Sequence, residues 1–199
     1  MFGMTARVTD NVTPWLRRLQ VGLDPDKIKP VAGRSGQNLI RNHLFALDRS
    51  RANDKGGRRT HFYAAAARST NFREVSDGVE VSINHVGIAQ RFFGGTILPV
   101  NSKYLTIPAS PEAHGRRARE FDNLEVVFGR RGPVGLRTRR ATMLQKTKKG
   151  FAKGKEVGGE IMYRLVRSSE QKADPSVLPT EEAIHTEVRE DVLSYLKRI

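Results

Sequence analysis

The residues with the clearest chemical content are basic. Between Gly129 and Lys155 the chain reads GRRGPVGLRTRRATMLQKTKKGFAKGK, with ten Lys and Arg and no acid. They are Arg130, Arg131, Arg137, Arg139, Arg140, Lys146, Lys148, Lys149, Lys153 and Lys155. Cationic groups at this density attract a polyanion. DNA, RNA or the acidic surface of a protein in an assembly would each serve, and charge alone does not choose among them. Phe151 is the only aromatic residue in the stretch, and no helix-turn-helix, zinc-finger or RNP signature accompanies it. From Glu170 to Ile199 the balance reverses, with seven acids against four bases.

Catalytic constellations are thin. The histidines, His43, His61, His85, His114 and His185, stand singly, and none has a second His or a paired carboxylate at metal-ligand spacing. Asp48 and Asp54 flank Arg49 and Arg51, a pattern that suits ion pairs better than a general acid and base. GRSGQN (33–38) lacks the Gly-Lys-Ser/Thr of a P-loop, and FGGT (93–96) runs into a strand pattern instead of a helix, so turn and packing roles are expected for both. Ser110 precedes Pro and Glu and reads as a helix cap. No enzymatic activity and no cofactor are expected.

The elements that must position these residues follow from periodicity. Thr13-Pro14 opens a short helix with Trp15, Leu16, Leu19 and Leu23 on one face. A second helix is expected from about Pro30 to Asp48, RANDKGGRR as a loop, and THFYAAAARS as a third helix. Phe72–Val75 and Val79–Ile83 around Ser76-Asp77-Gly78 form a hairpin pattern. HVGIAQRFF is a short segment before Gly94-Gly95, which should turn sharply or allow close backbone approach. Phe92 and Phe93 are core staples or interface anchors. TILPV and YLTIP are extended, with Pro99 and Pro108 discouraging further sheet pairing, as at an edge. LEVVF (124–128) and IMYRLV (161–166) read as strands that bracket the basic stretch, which then projects as a hairpin arm. The last helix runs from Pro179 to Ile199, capped by Thr180, with Ile184, Val188, Val192, Leu193 and Leu196 as its buried stripe. The expected fold is α+β, with helices packed on a mostly antiparallel sheet, a long basic hairpin arm and a C-terminal helix. Residues 1–128 and 161–199 are expected to form one domain, with 129–160 inserted in it as a Gly-rich arm.

Composition bounds the function classes. The chain has 199 residues, 35 Lys+Arg against 21 Asp+Glu, and a formal charge of +14. Its 38% apolar residues suffice for a core without metal or disulfide support. With no Cys, disulfides, thiolate zinc sites, iron–sulfur clusters and cysteine nucleophiles are excluded together. No run approaches the ~20 apolar residues of a membrane helix, and MFGMTARVTDNVTPWLRRL offers no signal-peptide core, so a soluble intracellular product without membrane contact is expected.

One block carries a family likeness. GIAQRFFGGTILPVNSKYLTIPASPEAHGRRAREF (87–121) resembles the core of the virion-morphogenesis or tail-completion proteins of tailed bacteriophages. The matching positions are Ala89, Gln90, Phe93, Gly94, Gly95, Thr96, Ile97, Pro99, Leu105, Thr106, Ile107 and Pro108. RANDKGGRRTHFYAAA (51–66) resembles the preceding loop and helix, and DPSVLPTEEAIHTEVREDVLSYL (174–196) the terminal helix. The family's arginine-proline-phenylalanine before that helix is replaced by Pro175-Ser176-Val177-Leu178-Pro179. The resemblance implies a non-enzymatic structural protein, made in the host cytoplasm, that completes or terminates the tail at the head–tail junction. It further implies a homo-oligomeric ring, a hexamer, touching neighbouring neck or tail-tube proteins and packaged DNA. The competing reading is a basic nucleic-acid-binding accessory protein.

Overall fold

The computed structural model describes residues 12–51, 56–139, 141–147, 150–157 and 159–198. The protein is α+β, with antiparallel strand pairs throughout the described residues. Where the sequence suggested one domain, the chain forms two compact units: one from 1–48, 63–88 and 175–199, the other from 49–62 and 89–174. Three of the four crossings fall within or at the starts of helices, and the fourth falls at the proline-containing stretch that opens at Pro175.

The first unit is built around α2, Pro25–Ser50, which extends to its first residue in the second unit at Arg49. The helix begins five residues before the expected start because Asp24 caps it: its carboxylate accepts the Asp26 N–H at 3.1 Å, and Pro25 occupies the first turn, where a missing N–H costs nothing. Pro30 is accommodated one turn further in. Before it lies α1, Val12–Gly22, whose Trp15 and Leu16, with Leu23 just past its end, remain half exposed. After it come α3, Phe62–Arg68, and the hairpin of β1, Thr70–Val75, and β2, Gly78–Ile83, joined by Ser76-Asp77. Phe72 and Val81 are cross-strand partners. A Cβ on Gly33 would lie 2.3 Å from the Phe72 ring and 2.8 Å from Val79, and one on Gly36 would lie 3.4 Å from Val81. The two helical glycines therefore form the seat of the hairpin's apolar face, which explains GRSGQN without any phosphate. Gln37 closes the contact by donating to the Thr70 carbonyl at 2.7 Å.

The core of this unit comprises Leu44, Tyr63, Ala64, Ala66, Ala67 and Val177. The C-terminal helix α5, Glu181–Leu196, starts as expected at Thr180, whose hydroxyl accepts the Ala183 N–H at 3.3 Å. Its stripe is only half-buried, and Leu193 faces solvent at 48% exposure, which corrects its place in the buried set.

In the second unit, α4, Ile88–Phe93, leads into β3, Gly95–Ile97, then β4, Leu105–Pro108, β5, Leu124–Gly129, β6, Gly132–Thr138, β7, Ala141–Thr147, β8, Gly150–Val157, β9, Ile161–Val166, and β10, Ser169–Gln171. The main sheet has the order β4-β9-β6-β5. The expected arm from 129 to 160 is thus corrected. Gly132–Thr138 lies inside the sheet between β5 and β9, because Leu136 pairs with Val126 on one side and Tyr163 on the other. Only β7 and β8 form a separate two-stranded hairpin. The core here is Ala113, Met162 and Tyr163, flanked by Ala118, Phe121, Leu124 and Leu136.

Candidate assembly surface

The turn at Gly94-Gly95 is tied to the chain around residues 171–174. Helix α4 ends where the Gly94 N–H returns to the Gln90 carbonyl at 2.9 Å, with Gly94 at φ +70 and Gly95 at φ +119. Both are conformations that Cβ-bearing residues resist. A Cβ on Gly94 would lie 2.5 Å from the Ala173 nitrogen and 2.7 Å from the Gln171 carbonyl oxygen. The close approach lets β3 pair with β10, with Gly95 opposite Gln171. The Asp174 N–H donates to the Arg91 carbonyl at 3.0 Å, and the Asp174 carboxylate meets Arg51 at 2.6 Å. Sequence reading missed this ion pair, since nothing local links positions 51 and 174.

On this turn Phe92 is half-buried, whereas Phe93 is 75% exposed, packed edge-to-face on Phe92 at 4.9 Å. Of the two roles weighed for the pair, Phe93 therefore cannot be a core residue. Leu98 and Val100 are exposed as well, with Pro99 half-buried between them. Pro108 ends the edge strand β4, opposite Tyr163. The Ala109 N–H reaches the Met162 carbonyl on β9, so alternation turns the proline's missing N–H toward the open side, where it blocks a further strand.

The basic residues separate into distinct settings. Arg130 and Arg131 form the exposed turn between β5 and β6. Arg137 belongs to the sheet: it sits opposite Glu125 and its guanidinium pairs with that carboxylate, so it is not part of a free arm. Arg139 is exposed and its N–H donates to the Asn123 carbonyl at 2.8 Å. Lys146 lies on β7 opposite Phe151, Lys153 on β8 opposite Leu144, and Lys155 further along β8. Arg140, Lys148 and Lys149 lie outside the described residues.

Other candidates resolve into structural roles. Ser110 caps a 3-10 turn at Pro111–Ala113, accepting the Ala113 N–H at 3.3 Å. His43 meets the Ser176 carbonyl at 2.9 Å, and the Asp48 carboxylate accepts the Ala64 N–H at 3.3 Å, while Asp54 lies outside the described residues. Among the described residues no group of His, Asp and Glu could hold a metal ion, and no helix is long and apolar enough to cross a membrane. Tyr163 is buried, its hydroxyl directed at the Arg116 carbonyl at 3.0 Å, and burial pushes its pKa above the ordinary phenol value of 10.0. What the described residues put at the surface here is a set of exposed apolar side chains at Phe93, Leu98 and Val100 and the exposed arginines Arg130 and Arg131. No family model, curated protein or solved structure matches the chain.

Proposed function

We propose that the chain is a structural protein of a tailed-phage virion, acting without catalysis at the neck or the top of the tail as a homo-oligomeric ring. The supporting observation is the Gly94-Gly95 turn with exposed Phe93 before it and exposed Leu98 and Val100 beyond the strand that follows it, inside the block that resembles tail-completion proteins. Exposed apolar side chains close together in sequence suit a protein–protein contact. In a ring each copy presents two different surfaces to its neighbours, and heterologous contacts of that kind close on themselves. The acid-rich segment from Glu170 onward and the basic hairpins supply opposite charges for such contacts. The number of copies carried over from the family likeness is six. Its adjoining partners would be neck or tail-tube proteins, with packaged DNA near the basic hairpins and the host cytoplasm as the place of assembly.

A second reading, a nucleic-acid-binding accessory protein, draws on the same arginines and lysines. Deleting the chain from the producing system separates the two. The structural reading expects full heads and tails that accumulate unjoined. The accessory reading expects joined particles, together with DNA affinity of the purified chain that falls steeply with salt.

A further inference from the structure

We infer that strand β5 is a self-complementary docking edge, through which two copies of the free chain pair about a two-fold axis. The inference does not depend on the neck reading.

Strand β5 is the outer strand of the four-stranded sheet, and among the described residues no strand lies along its far side. Sheet edges are normally defended by Pro, Lys or an unpaired charge. The opposite edge follows that rule, with Pro108 on β4. By contrast β5 reads LEVVFG: it has no Pro or Lys, and its one charge, Glu125, is held by Arg137. Val126 and Phe128 are exposed at 46% and 72%.

The direction of the backbone groups follows from one hydrogen bond. Because Asn123 accepts from Arg139 across β6, the odd-numbered residues 123, 125 and 127 face β6. Leu124, Val126 and Phe128 therefore turn their N–H and C=O groups toward the open side. The irregularity in this pair lies on β6, at Val134, so β5 keeps its alternation.

The flanks choose the occupant. Asp122, in the turn before the strand, and Arg130, in the turn after it, are both exposed. A second β5, antiparallel and centred on Val126, places Leu124 opposite Phe128 and Asp122 opposite Arg130, twice by symmetry. Shifting that register by two residues in either direction separates the charges. A single strand pair is small against the ~1,600 Å² of a standard interface, so the dimer should be weak and concentration-dependent.

Sedimentation velocity across a concentration series tests the pairing. The wild-type chain should pass from monomer to dimer as concentration rises. Asp122→Arg and Arg130→Asp each place like charges together at two symmetric points, and each alone should move the midpoint to about tenfold higher concentration or more. Mixing the two variants restores opposite charges at both points, so the mixture should dimerise as the wild type does. Val126→Pro removes an N–H that the sheet does not use; it should keep the far-UV spectrum and abolish the dimer. A wild type that stays monomeric, an association unchanged by these substitutions, or a mixture no more associated than its components would each overturn the inference.

Discussion

Two hairpins built by the same local rule meet different fates. The β1–β2 hairpin in the first unit and the β5–β6 hairpin in the second both turn through two residues, Ser76-Asp77 and Arg130-Arg131. The first lays Phe72, Val79 and Val81 against a helix that has given up side chains at Gly33 and Gly36 to receive them. The second leaves Val126, Phe128 and Val134 exposed beside its paired arginines. A hairpin's pattern thus fixes its pairing, but whether its apolar face becomes core or contact surface depends on a seat elsewhere in the chain. Apolar surface left without a seat is available to another molecule.

The comparison breaks most sharply at the seat. Gly33→Val should destabilise the first unit by about 1–3 kcal/mol, because the added side chain overlaps the Phe72 ring and Val79 and forces both to shift. Gly78→Ala in the same hairpin, with nothing within 4 Å of the added methyl, should stay within ~0.5 kcal/mol. Chemical denaturation of both variants checks the contrast, and equal losses would remove the seat from the account.

In the second unit the Gly94-Gly95 turn should be nearly as sensitive. Gly94→Val combines a φ of +70 with a clash against the backbone of Gln171 and Ala173, and a loss of about 1–3 kcal/mol is expected. Gly95→Val, at φ +119, suffers from conformation more than from space. Wild-type melting by both variants would show that the turn is loosely held.

Tyr163 gives a pH-dependent test of the second core. Its folded pKa is raised by burial, so the stabilisation is complete below the ordinary phenol value and is lost as pH rises through the folded pKa. Denaturation midpoints should fall above about pH 10. Tyr163→Phe should cost about 1 kcal/mol at neutral pH through its hydrogen bond and flatten the alkaline decline.

The smallest effects on stability are expected at the basic hairpins. Changing Arg130, Arg131, Lys146, Lys153 and Lys155 to Gln, with Arg137 kept for its pair with Glu125, should leave melting unchanged. Head–tail joining should then fail if the neck reading holds. If the chain is a free nucleic-acid binder, joining survives while DNA affinity drops and its salt slope flattens. Phe128→Ser should likewise leave melting within ~0.5 kcal/mol while weakening association, which light scattering reads.

Local patterns were legible where the chain supplies its own answer. Thr180 as a cap, the β1–β2 hairpin and the Gly94-Gly95 turn all follow from residue type and spacing, and Ser110 caps as its Pro-Glu context implies. The start of α2 was legible too, in Asp24-Pro25, but the glycines downstream obscured it. Strand β6 was hidden because Gly132, Pro133 and Gly135 weaken its pattern and arginines crowd its end; it exists because β5 and β9 supply partners on both sides. The pairing of Arg51 with Asp174, and the gathering of each unit from separate stretches of sequence, rest on long-range contacts, which no local spacing encodes.

Imaging intact particles at a resolution that traces this chain tests the central claim most directly. The account predicts a closed ring of copies at the head–tail junction, with Phe93, Leu98 and Val100 buried against a neighbouring protein. Particles whose junction lacks the chain, or a ring in which those side chains face only solvent, would contradict it.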